Sequence, residues 1–147
     1  MISREFRSYW YYFKLYQKSG FFYPCGRDRN FRPVLVFNVK LIDFNDVETG
    51  VHAACYVHEE VIKTMFLPGQ VENWVIIYDI GGLGVTEMPM GAIKTVTNKM
   101  SANYGGRLFK MFSVNAPGTI WFAWKAISAF LDPVTVEKIK ISKTNTE

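Results

Sequence analysis

Three side chains able to ligate a metal, His52, Cys55 and His58, recur at every third position of the stretch VHAACYVHEE. On a helix each residue advances by about 100°, so residues three apart drift around the cylinder instead of stacking in one line. Zinc asks for four ligands in a closed site, or three with an ordered second shell. These residues are therefore read as ordinary members of a helix, and no metal site is expected. The segment DIGGLGV, residues 79–85, invites comparison with a dinucleotide fingerprint, whose glycines let the backbone approach a pyrophosphate at a helix N-terminus. The spacing fails, because the third small residue after Gly82 and Gly84 would fall at position 87, where Glu87 stands. A glycine loop is expected there, with a nucleotide-dependent oxidoreductase kept as the alternative from the enzyme class. Glu59 and Glu60 are neighbours on a predicted helix and point apart. No Walker loop, G-x-S-x-G elbow or H-E-x-x-H motif occurs. No catalytic residue is nominated, and neither covalent chemistry nor a cofactor is expected.

With 147 residues the chain has the size of one domain, able to bury roughly two-thirds of the surface its unfolded form would expose. Twelve Phe, eight Tyr and four Trp make up 16% of it, a large aromatic area that suits a big core or an apolar pocket. Seventeen basic against thirteen acidic residues give a net charge of +4, which attracts anionic surfaces such as phospholipid or nucleic acid. The Lys and Arg residues are dispersed without a run of five, so a solvated basic surface accounts for them and a nucleic-acid partner is not expected. Cys25 and Cys55 make no disulfide framework, and the N-terminus does not read as a secretory signal. A reducing, cytoplasmic setting is expected. No apolar run approaches the ~20 residues that a bilayer span requires.

The hydrophobic pattern divides the chain into alternating elements. Phe6, Tyr9, Trp10, Phe13 and Tyr16 fall at helical spacing among basic residues, predicting an amphipathic helix over 1–19 whose aromatic and basic face suits an anionic membrane interface or the sheet. FFYPCGRDRN reads as a Gly and Pro turn region before a buried strand over about 33–39. A helix follows from 51, closed by Pro68 and Gly69; then a strand in NWVIIYDI, a helix over 89–104 broken by Gly105 and Gly106, and a strand in RLFKMFSV. The next helix is almost without a polar face. Ile120, Trp121, Trp124, Ile127 and Leu131 form one stripe, while Phe122, Ala126, Ala129 and Phe130 coat the other sides. Such a helix is core or a cover over something apolar. Asp132 and Pro133 open a short helical turn by N-cap and first-turn rules, and KIKIS alternates as a last strand. The order β-α-β-α-β-α-β predicts an α/β fold with a largely parallel sheet.

NWVIIYDIGGLG and VNAPGTIWFAWKAISAFLDPVTVEKI resemble the CRAL-TRIO family, the Sec14-like lipid-binding and lipid-transfer domains. The shared pattern is an apolar strand ending in Asp79 and Gly81, the Asn115–Pro117 triplet after a later strand, and the run from Phe130 to Ile139. GRDRNFRPVLVF is similar to the family's entry strand. The resemblance implies a mostly parallel β-sheet flanked by helices, with Ile120–Phe130 as a gating helix over an apolar lipid pocket. It divides the chain into the 1–19 helix and a lipid-binding domain over 20–147, shortened at both ends relative to the family.

The implied function is the binding of one hydrophobic lipid, a phospholipid such as phosphatidylinositol, and its transfer or presentation between membranes. Trp74, Ile76, Tyr78, Ile120, Trp121, Trp124, Ile127 and Phe130 are the implied pocket and gate residues. Thr135, Lys138 and Arg107 match the family's phosphoinositide headgroup contacts, and on the predicted helix Thr135 and Lys138 stand three apart, where a hydroxyl, an ammonium and backbone N–H groups would converge on an anion. The acidic partner of Arg107 is replaced by Gly106, which weakens inositol recognition. The two hydroxyl residues of phosphatidylcholine-binding members are replaced by Trp74 and Ile76, which opens the alternative of a sterol, tocopherol-like or isoprenoid ligand. The bound lipid is the only ligand implied, and transient association with a membrane surface is expected. A rival reading is a non-transferring adaptor of signalling or trafficking proteins.

Overall fold

The computed structural model describes residues 20–82, 84 and 88–143; the predicted 1–19 helix lies outside them. Strand β1 (Phe22–Arg27) pairs antiparallel with β2 (Pro33–Asn38). Helix α1 (Val47–Met65) leads to β3 (Trp74–Asp79), α2 (Met90–Tyr104) to β4 (Leu108–Ala116), and α3 (Ile120–Ser128) with the short α4 (Pro133–Lys138) to β5 (Ile139–Lys143). The five strands form one sheet in the order β1-β2-β3-β4-β5, with β2 to β5 parallel.

The segment FFYPCG, read from sequence as a turn, is strand β1. Its Pro24 and Gly26 are tolerated because β1 is the edge strand, where a missing N–H costs no ladder bond. Gly26 adopts φ +74°, and the pairing register slips between Pro24 and Arg27, a bulge of the kind frequent at sheet edges. The hairpin tip is anchored to the sheet by Arg32, which donates to Asp28 Oδ2 at 3.2 Å and Asn73 Oδ1 at 3.1 Å and stacks its guanidinium 3.7 Å from the Phe109 ring centroid.

Because the parallel strands follow one another in a single direction, right-handed crossovers place their helices on one face. The core bears this out: Ala53, Ala54, Val57 and Val61 of α1, with Ile120 and Ala123 of α3, cluster with Leu35, Phe37, Trp74 and Ile76 of the sheet. Helix α1 begins at Asp46, whose carboxylate accepts from the Thr49 N–H at 3.2 Å, and its small and β-branched residues bring it close to the sheet. Burying each Val or Leu here stabilises the fold by about 1.5–3 kcal/mol before entropy is counted. The opposite face carries Val36, Ile77 and Phe112 in one cross-strand row, and Phe112 remains 41% exposed.

Candidate functional site

Helix α3 turns only part of its apolar surface inward. Ile120 and Ala123 are buried and Ile127 packs against the core, whereas Trp121 is 49% and Phe122 79% exposed. Trp124 and Phe130 are half-buried. The helix ends at Ser128, so Phe130 belongs to the following turn instead of the predicted gate helix; its N–H donates to the Ile127 carbonyl at 3.2 Å, a tightened last turn. Helix α2, which packs beside α1 and α3, buries none of its residues, and Ile93, Val96 and Met100 stay half-exposed. Two neighbouring helices therefore keep much of their apolar area unsealed.

The floor beneath them changes character along β3. Trp74 is 2% exposed, enclosed by His58, Phe66 and Tyr104 with ring centroids at 4.6, 5.6 and 5.7 Å, so it is packed core. Ile76 is buried as well. Tyr78 is half-buried, its ring stacked on Phe37 at 4.7 Å and 22°. Its register partner on β4 is Ser113, a residue that the sequence reading did not single out. Strand alternation would have placed Ser113 on the Met111 face, but its pairing with Tyr78 is a cross-strand fact that one strand's sequence does not contain.

The three residues read as headgroup contacts are all at the end of the sheet where β4 and β5 begin. Thr135 and Lys138 belong to α4, which packs on β4 and β5. The Thr135 N–H is taken by the Asp132 carboxylate at 2.9 Å, so the backbone donor expected to meet an anion is already satisfied by a negative group. The Thr135 hydroxyl first, and then that backbone bond, holds the Asp132 carboxyl below the usual carboxylate range. Arg107 is drawn the other way, toward β3: it donates to Glu72 Oε2 at 3.0 Å and the Glu72 carbonyl at 3.1 Å, and its guanidinium lies 5.5 Å from the Phe66 ring. The structure thus brings Thr135 and Lys138 onto one short helix and commits Arg107 to Glu72.

At the opposite end of the strands a depression of about 460 Å³ is bordered by Asn38, Lys40, Gly82, Gly84 and Pro117. Its floor is a lock. Asp79 Oδ1 accepts from the Gly81 N–H at 3.0 Å and from Asn115 Nδ2 at 2.9 Å. A Cβ on Gly81 would come within 3.1 Å of both Asp79 Oδ1 and Asn115 Cβ, which accounts for glycine at that position. A carboxylate in this place disfavours a phosphate beside it. Among the described residues no group of three His, Cys, Asp or Glu gathers to hold a metal. His58 instead donates Nδ1–H to the Ala54 carbonyl at 2.7 Å within an aromatic cage, and burial pulls its pKa down to about 4. Cys55 and Glu59 meet Tyr104, whose hydroxyl donates to Glu59 Oε1 at 3.0 Å. No helix among the described residues is long and apolar enough to cross a membrane.

The CRAL/TRIO domain family model matches residues 17–147. The phosphatidylinositol transfer protein CSR1 of Eremothecium gossypii is 26% identical over 122 residues, covering 81% of this chain and 27% of that protein. The phosphatidylinositol/phosphatidylcholine transfer protein SFH12 of Arabidopsis thaliana is 24% identical over 138 residues, covering 82% of this chain and 25% of that protein. The crystal structure of Sfh5 superimposes with a TM-score of 0.74 at 18% identity, over 87% of this chain and 48% of that one. The chain therefore spans about a quarter of the length of these curated relatives and about half of the solved structure.

Proposed function

Because the chain belongs to the CRAL/TRIO domain family, we propose that it holds one lipid between the helix-covered face of its sheet and helices α2 and α3, and carries or presents that lipid at membrane surfaces without covalent chemistry. The observation that carries this reading is the incomplete burial of the covering helices, with no buried residue on α2 and both Trp121 and Phe122 of α3 open to the outside. An apolar helix flank left bare costs free energy that an acyl chain on one side and a bilayer on the other would recover.

Phosphatidylinositol is the first candidate ligand, supported by the names of the similar transfer proteins from E. gossypii and A. thaliana. Lys138 is the proposed headgroup contact, joined by the Thr135 hydroxyl once it turns away from Asp132. Arg107 joins them only by leaving Glu72. The proposed setting is the cytoplasm, with peripheral membrane association through α3. Native mass spectrometry of the protein isolated from cells, followed by lipid extraction, tests this: one phospholipid per chain is expected. A protein that arrives empty and then takes up neither phosphatidylinositol, phosphatidylcholine nor a sterol from vesicles would falsify the reading.

A further inference from the structure

Tyr78 of β3 and Ser113 of β4 are register partners on the helix-covered face, so their side chains leave adjacent strands side by side, with the strands about 4.8 Å apart. Phe37 on β2 and Ile141 on β5 complete the same row. The Tyr78 ring is held by its stack on Phe37. Among the described residues neither the Tyr78 hydroxyl nor the Ser113 hydroxyl has a hydrogen-bond partner. Both residues are half-buried, and among the described residues no fully inaccessible side-chain oxygen lacks a partner, so both hydroxyls are reached by solvent. Tyr78 is nevertheless deep, and burial alone raises its pKa to about 12.

Two adjacent accessible hydroxyls without a protein partner are met by water, and a lipid that displaces that water binds best if it restores their hydrogen bonds. The neighbouring row is Leu35, Ile76, Met111 and Ile139, which offers no charge to compensate an ionised group. A phenol and a serine can each donate and accept. We infer that Tyr78 and Ser113 form a two-hydroxyl clamp for one uncharged oxygen of the bound lipid, a hydroxyl or a carbonyl set within an otherwise apolar stretch of the molecule. This rests on the reading of the chain as a lipid carrier and deepens it. A lipid hydroxyl accepts from one residue and donates to the other; an ester carbonyl accepts from both. The first would come from a sterol-like alcohol, the second from the glycerol ester of a phospholipid.

The test is displacement of a fluorescent lipid by two matched pairs: cholesterol against cholestane, which lacks the hydroxyl, and diacyl phosphatidylcholine against its dialkyl ether analogue, which lacks the carbonyls. Wild type is compared with Tyr78→Phe, Ser113→Ala and the double variant. Tyr78→Phe keeps the ring on Phe37 and Ser113→Ala removes one atom, and thermal melting verifies that each variant folds. Wild type is expected to prefer the oxygen-bearing member of one pair by about tenfold. The double variant should lose that preference while binding the deoxygenated member as before. Preference for cholesterol identifies the ligand oxygen as a hydroxyl, and preference for the diacyl lipid identifies it as an ester carbonyl. Equal binding within both pairs by wild type, or a preference that survives both substitutions, overturns the clamp and leaves lipid carriage intact. If wild type binds none of the four lipids, the clamp falls, and the carrier reading falls with it only where phosphatidylinositol is refused as well.

Discussion

Asn115 Nδ2 lies 2.9 Å from Asp79 Oδ1, so the end of β4 is tied to the end of β3 immediately before the chain enters α3. Asn115 holds φ at +56°, a conformation that few residues other than Gly, Asn and Asp adopt readily. Asn115→Gly should therefore cost only the bond, about 1 kcal/mol, while Asn115→Ala adds backbone strain and costs about 2 kcal/mol. Urea denaturation of both variants checks the difference; equal losses would mean that the backbone conformation contributes nothing.

The outward pair on α3 separates membrane contact from folding. Phe122→Ser, at the more exposed of the two, is expected to leave the unfolding midpoint nearly unchanged, within about 0.5 kcal/mol, because Phe122 is 79% exposed. Co-sedimentation with anionic vesicles should fall about tenfold, reflecting lost apolar contact with the bilayer. Undiminished sedimentation would remove α3 from the membrane-facing surface.

Lys138 tests the proposed headgroup assignment. Lys138→Ala should weaken phosphatidylinositol binding by about tenfold, the worth of one charge-assisted hydrogen bond, and leave phosphatidylcholine binding within about twofold. A competition assay with vesicles of each lipid distinguishes the two. Equal loss for both lipids would mark Lys138 as a general anionic-surface contact.

The caged His58 predicts the acid limb of stability. Its pKa falls from 6.5 to about 4 on folding, so the unfolded chain binds the extra proton throughout that interval. Stability is complete above pH 6.5 and declines as the pH drops toward 4, by at most about 3 kcal/mol from this group. His58→Phe preserves a flat ring among Phe22, Trp74 and Tyr104 and removes the proton site. The pH dependence of the melting temperature between 4.5 and 6.5 should flatten in that variant, and an unchanged slope would assign it to other groups.

Much of this was legible in advance because β2, β3 and the helices carry their periodicity in consecutive residues. Strand β1 was not, since Pro24 and Gly26 are turn residues everywhere except at a sheet edge. Arg107 looked available for a headgroup because Glu72, its partner, is 35 positions away and invisible to local pattern. Trp74 and Ile76 were read as pocket wall, but the ring cage around Trp74 is assembled from α1, α2 and the loop before β3. The Tyr78 and Ser113 pair was missed for the same reason: register belongs to the sheet, and no single strand states it.

The irregularity of β1 also governs what the molecule does in company. An edge strand with a continuous row of N–H and C=O groups is a template for another chain's backbone. Pro24 presents no N–H, and the kink at Gly26 turns the following residues out of register. The same two residues that disguised this strand in the sequence thus interrupt its regular edge, and at this edge the sheet is a poor seed for strand-to-strand aggregation even while Trp121 and Phe122 of α3 stay exposed.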